Sequence, residues 1–249
     1  MPQVKRAPQP KQVQAQEQQK QPLLKQFTTF TKTTPGFERS LRLIQALSQI
    51  ASDLSTHNAV TATRWATAKS QIALTRRYFR FLNFIDSFDR VYTLLVHGGD
   101  GDNAGAVSTM LDLGKSSALG VYVLLEDLTI LHAMGIYPQT PWSIDIQTQA
   151  YKFWFWGLAL SVIGAMWSLL FSSGSSQSKE NENENEKGKG DTSGSRTLVK
   201  RVIVDGCDLM IPGSSLGWIS MGSEMVGMLM VLSTVVSMGD VWRRANGLN

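Results

Sequence analysis

The apolar positions from Gly36 to Ser55 recur at helical spacing. Phe37, Leu41, Ile44, Leu47, Ala51 and Leu54 form one stripe, widened by Leu43 and Ile50. Glu38, Arg42, Gln45, Gln49 and Ser52 share the opposite side. This predicts an amphipathic helix, with Thr34-Pro35 as its N-cap and first-turn pair. Arg64–Val96 repeats the pattern on a larger scale. Leu74, Tyr78, Phe81, Ile85, Phe88, Tyr92 and Leu95 alternate steps of four and three, placing seven large residues on one face. Lys69, Arg76, Arg80, Asn83, Ser87 and Arg90 lie opposite, with Arg77 near the boundary. One long helix with aromatics below and arginines above suits the headgroup boundary of an anionic membrane. The same stripe would also serve as packed core, and the two roles can coexist.

Three further stretches are apolar throughout. Phe153–Phe171 runs 19 residues without a charge. At about 1.5 Å per residue it nearly matches a ~30 Å hydrocarbon core. Tyr151, Trp154 and Trp156 gather at one end and Trp167 near the other, as interfacial aromatics do. Gly157, Ser161 and Ala165 stand at the spacing that lets a second helix approach closely. Leu209–Met238 is the second candidate span, with Pro212, several glycines and one charge, Glu224. Its Gly213 and Gly217 make a GxxxG pair. A re-entrant or in-plane hairpin is the alternative there. Ala118–Ile136 carries Glu126 and Asp127 in its middle. Two acids at bilayer depth cost about 5–7 kcal/mol, so this stretch reads as a helix packed on protein or lying at the interface.

Composition divides the chain. It has 249 residues, a formal charge of +4, one cysteine and a mean hydropathy of -0.09. That average conceals two polar outliers. Residues 1–33 are Gln-rich and basic, too poor in apolar side chains to offset their ordering entropy. Residues 172–197 include SSGSSQSKENENENEKGKGDTSGS, a flexible-linker composition. The expected organisation is a disordered tail (1–33), an amphipathic helical region (34–150), a transmembrane helix (151–171), a disordered linker (172–197) and a hydrophobic, Gly-rich C-terminal segment with a second span (198–249). The fold class is all-α: amphipathic helices followed by one or two transmembrane helices.

No catalytic constellation emerges. Gly114-Lys115-Ser116 ends like a phosphate-binding loop but lacks the glycine that would stand at Thr109. Gly98–Gly105 resembles a calcium loop, yet Leu111 occupies the place of the closing glutamate. His57, His97 and His132 share no metal-ligand spacing, and a single cysteine excludes a disulfide framework. The expectation is a non-enzyme with no cofactor and no metal. Beside a hydrophobic span, lipid phosphate is a better partner for the arginines than nucleic acid.

Several blocks, in this order, resemble the peroxisomal biogenesis factor eleven family of membrane-elongating peroxins. They are FERSLRLIQALSQIASDL (37–54), LTRRYFRFLNFIDSF (74–88), YVLLEDLTILHAMGI (122–136), DLMIPGSSLGWI (208–219) and the closing DVWRR (240–244). The resemblance implies peroxisomal membrane residence, homo-oligomerisation and membrane tubulation through amphipathic helices. It also implies cooperation with a dynamin-related fission GTPase and docking to the peroxisomal membrane-protein import receptor. On the matching positions, Arg76, Arg77, Phe79, Arg80, Phe81 and Phe84 fall in the membrane-remodelling helix. The expected membrane-binding set is therefore Lys69, Leu74, Arg76, Arg77, Tyr78, Phe79, Arg80, Phe81, Phe84, Ile85, Phe88, Arg90 and Tyr92. Helix packing is assigned to Gly157, Ser161, Ala165, Gly213 and Gly217. A pore or metabolite channel is the competing function, motivated by Glu224 within a candidate span. Two spans would put both termini on one side of the membrane.

Overall fold

A computed structural model describes residues 22–97, 103–172 and 190–247. Among these residues the structure is helical, without strands. The helices are α1 (Leu23–Lys32), α2 (Thr34–Leu54), α3 (Ala59–Arg80), α4 (Phe84–His97), α5 (Asn103–Leu128), α6 (Ile130–Ala133), α7 (Pro141–Ser172), α8 (Gly190–Ser215) and α9 (Ser223–Ala245). The Gln-rich residues 1–21, the calcium-loop residues 98–102 and linker residues 173–189 lie outside the described residues. Leu23–Lys32, which composition assigns to the tail, forms α1.

Local chemistry sets the helix ends. Thr33 caps α2, one residue earlier than predicted, its Oγ1 accepting from the Gly36 N–H at 3.1 Å, with Pro35 in the first turn. Asn58 caps α3 by accepting from the Thr61 N–H. The predicted long helix over 64–96 is two helices. It breaks at Leu82, whose φ of 67° is left-handed. The Leu82 N–H donates to Asp127 Oδ2 at 3.0 Å, so a carboxylate from α5 holds the break.

The second predicted span is also divided. Pro212 cannot supply the N–H that would bond the Asp208 carbonyl, and α8 stops at Ser215. Gly217, at φ 73°, closes it. The Trp218 N–H reaches the Gly213 carbonyl and the Gly217 N–H the Ser214 carbonyl, a Schellman ending. The long apolar element that follows is α9. Among the described residues, it and α7 are the two helices long and apolar enough to cross a membrane. At ~1.5 Å per residue they reach roughly 34 Å and 48 Å.

The helices pack side by side in the order α4, α5, α7, α8, α9, α2, α3, each antiparallel to its neighbour. Specific pairs fix the directions. Leu119 faces Gly157 and Gly114 faces Leu160 across α5 and α7. Ser161 meets Asp205 across α7 and α8, and Lys200 meets Asp240 across α8 and α9. Gln49 meets Ser223 across α9 and α2, and Glu38 meets Arg76 across α2 and α3. The ends of the row come together where Arg77 and Arg80 of α3 reach Glu126 of α5. Helix α1 lies over α2 and α9, its Phe30 fully buried with its ring 5.4 Å from that of Trp242.

One consequence changes the membrane topology. Since α8 is antiparallel to both α7 and α9, the two candidate spans point the same way. If both cross, α8 crosses between them, and the two ends of this three-helix unit lie on opposite sides. The two described ends of the chain nevertheless lie together, because Phe30 of α1 packs against Trp242 near the end of α9.

A candidate lipid-facing surface around a charged interior

The polarity of this fold is reversed from that of a water-soluble protein. Among the described residues, twelve buried ones are polar or charged and nine are hydrophobic. The stripe of α2 faces out: Phe37, Ile44, Leu47 and Leu54 are exposed. So are Tyr78, Phe79, Phe81, Ile85, Phe88 and Tyr92 on α3, α4 and the break between them. Ile85 is 54% accessible and Tyr92 66%. Leu74 is half-buried, and so is Phe84, which packs on the small apolar core of Tyr122, Val123 and Ala150. Phe88 also touches α5, its ring beside Gly120.

The arginines expected above the stripe turn inward instead. Arg76 Nη2 lies 2.8 Å from Glu38 Oε1, and its Nη1 donates to Gln45 Oε1. Burial opposes the Glu38 charge, but Arg76 outweighs it and holds the carboxyl below its usual range. Arg77 Nε and Arg80 Nη2 each lie 3.1 Å from an oxygen of Glu126, which is 5% exposed. Arg77 also donates to Gln147 and Arg80 to the Tyr122 hydroxyl. Arg42 bridges α2 to Asp208 of α8 and donates to Ser233 of α9. These guanidiniums are committed to carboxylates within the chain and are not free for lipid phosphate. The exception in the expected set is Arg90, well exposed and 3.9 Å from Asp112. Lys69 is half-buried and makes no ion pair among the described residues.

The small residues of α7 are used inside the chain. A Cβ on Gly157 would sit 2.8 Å from Leu119 Cδ2, so this glycine lets α5 approach. Ser161 is fully buried, donating to Asp205 and accepting from Arg201 Nε at 3.1 Å. Ala165 is fully buried too. Gly213 packs closely under Ile219 and Phe155, whereas Gly217 has open space around it and serves the helix end. Of the GxxxG pair, Gly213 serves packing and Gly217 the cap. Lys200, Arg201, Asp205 and Asp208 of α8 are paired in the same way as Arg76, Arg77 and Arg80 of α3. Lys200 meets Asp240 at 2.6 Å, and Arg201 reaches Asp112 and Asp205. Pairing of this kind is what a helix at low dielectric requires. Glu224, the motive for a channel, stands exposed in the first turn of α9, at the end of the span rather than within it.

Sequence reading missed the acidic partners as a set. Glu126 within an otherwise apolar run was the available signal: a buried acid needs a buried base. Asp208 and Glu38 gave no such signal, being ordinary acids on helices of mixed polarity.

A family model described as Peroxisomal biogenesis factor 11 (PEX11) matches residues 24–242, a range running from α1 into the last turns of α9. Peroxisomal membrane protein PMP27 of Saccharomyces cerevisiae is 25% identical over 234 residues, covering 89% of this chain and 95% of that protein. No solved structure matches the chain.

Proposed function

Because this chain belongs to the peroxisomal biogenesis factor 11 family and is a peroxisomal membrane protein, we propose that it shapes and elongates the peroxisomal membrane through the outward apolar faces of α2, α3 and α4. The observation that carries this reading is the placement of Leu47, Tyr78, Phe81, Ile85 and Tyr92 on the outside while Glu38, Arg76, Arg77 and Arg80 of the same helices pair within. Apolar side chains inserted beside lipid tails gain about 25 cal/mol per Å² removed from water. Where these faces enter one leaflet more than the other, they enlarge its area and bend the sheet. Basic side chains are not the inserting groups in this mechanism; they hold the helices in register so that the apolar faces stay outward.

Self-association would concentrate the effect, and a fission GTPase would act on the resulting tubule. The import receptor would recognise the same basic and apolar segment before insertion, when Arg76, Arg77 and Arg80 are not yet paired.

The test is reconstitution of the full chain into vesicles containing anionic phospholipid, scored for tubules by electron microscopy. The unaltered chain should tubulate. Ile85→Asp with Tyr92→Asp should abolish tubulation while leaving the helical content unchanged, since neither side chain is buried. Equal tubulation by this variant would show that the outward stripe is not the inserting surface.

A further inference from the structure

The charged interior borders a half-open cavity of about 650 Å³ between α2, α3, α5, α7, α8 and α9. Six basic side chains and three acidic ones line it, an excess of three positive charges. The acids are all engaged: Glu38 by Arg76, Glu126 by Arg77 and Arg80, and Asp208 by Arg42. Two lining cations, Arg39 and Lys69, have no carboxylate within ion-pair distance among the described residues. Arg39 Nε is buried without a hydrogen-bond partner, and so is Arg80 Nε. Burial and the neighbouring Arg42 pull Arg39 below the usual guanidinium range, against the partial support of Glu38, Asp208 and Asp205. A buried guanidinium without an ion-pair partner is costly, and a bound anion reduces that cost.

The chemistry of the lining narrows the anion. Guanidinium groups present forked donors that match phosphate oxygens. The volume falls within the range of small-molecule sites and exceeds what one inorganic ion fills. Tyr151, Trp154, Ile211 and Met230 supply an apolar part of the wall, suited to an organic group attached to the phosphate.

We propose that this cavity binds a phosphate-bearing anion, either a phospholipid headgroup or a soluble phosphate compound, with Arg39 as its principal ligand and Lys69 completing the charge. The site stands apart from membrane shaping, because the residues that form it point away from the apolar stripe.

Two arms distinguish the sources. In the first, inorganic pyrophosphate is titrated calorimetrically into the full chain held in phosphatidylcholine nanodiscs. In the second, nanodiscs of phosphatidylcholine with phosphatidic acid are purified, and the phosphatidic acid retained per chain is measured in detergent. Saturable binding in the first arm supports a soluble ligand, and stoichiometric retention in the second supports a headgroup. Arg39→Gln should weaken whichever binding occurs by at least about tenfold, the worth of one charge-assisted hydrogen bond. Arg39→Lys should restore part of it. Arg39 is in no ion pair, so its replacement strands no carboxylate; circular dichroism checks that each variant folds. Arg243→Gln, at the exposed far end of α9, should bind as the unaltered chain does. Binding in neither arm would overturn the proposal. So would undiminished binding by both Arg39→Gln and Lys69→Gln, or a loss in Arg243→Gln equal to that in Arg39→Gln.

Discussion

Glu126→Ala is expected to destabilise the chain by about 3–5 kcal/mol, the cost of breaking a buried ion pair from one side. Glu126 is almost fully buried and receives both Arg77 and Arg80 at 3.1 Å. Its removal leaves two guanidiniums facing each other without a counter-charge. It also opens the place where α3 meets α5 and the row of helices closes. Denaturation midpoints in detergent micelles measure the effect. Replacing Glu126, Arg77 and Arg80 together by leucine should recover most of the loss, because no orphaned charge remains. A loss in Glu126→Ala below ~1 kcal/mol is the range of a solvent-exposed pair and would mean that the arginines are not inside.

Gly36→Ala should release α1 from the bundle. A Cβ at this position would collide with the backbone carbonyl of Phe30 and lie 2.7 Å from Thr33 Oγ1. The carbonyl cannot swing aside as a side-chain end could, because it accepts from the Thr33 N–H and hydroxyl. Moving α1 takes Phe30 out of its fully buried place beside Trp242. Burying a phenylalanine is worth about 1.5–3 kcal/mol, which sets the size of the loss. Limited proteolysis should then cut near Phe27–Phe30, in a variant whose remaining helices stay protected. If cleavage and protection match the unaltered chain, α1 is not held by this turn.

The faces of α2, α3 and α4 were legible in the sequence, but the direction of those faces was not. A helical period separates Phe37, Ile44 and Leu47 from Glu38, Arg42 and Gln45 whichever side becomes the interior. In water the apolar side packs inward. Here the polar side does, because carboxylates on α2, α5 and α8 wait for the arginines. The break at Leu82 left no mark, since neither glycine nor proline stands there and the apolar spacing runs on through it. Its cause is Asp127, 45 positions away along the chain. Helix α1 was hidden by its glutamine-rich surroundings, although Leu23, Leu24, Phe27 and Phe30 are spaced for one turn after another. Gly213 and Gly217 show how one spacing serves two purposes: four residues apart also fits a Schellman ending. The first span was plain from Phe153–Phe171, but its parallel relation to α9 depended on α8. That helix carries too many charges to be read as an apolar span, and only the structure shows Lys200, Arg201, Asp205 and Asp208 paired.

Membrane shaping by this chain requires the apolar stripe to face lipid while the arginines of α3 face carboxylates. Nitroxide labels placed singly at Leu47, Ile85 and Tyr92, in a Cys207→Ser background, test this directly in reconstituted vesicles. Collisions with oxygen, which concentrates in the bilayer, are compared with collisions with a water-soluble nickel chelate. Strong oxygen relaxation and weak nickel relaxation are expected at all three positions. Nickel relaxation dominating there would place the stripe in water and contradict a lipid-facing stripe.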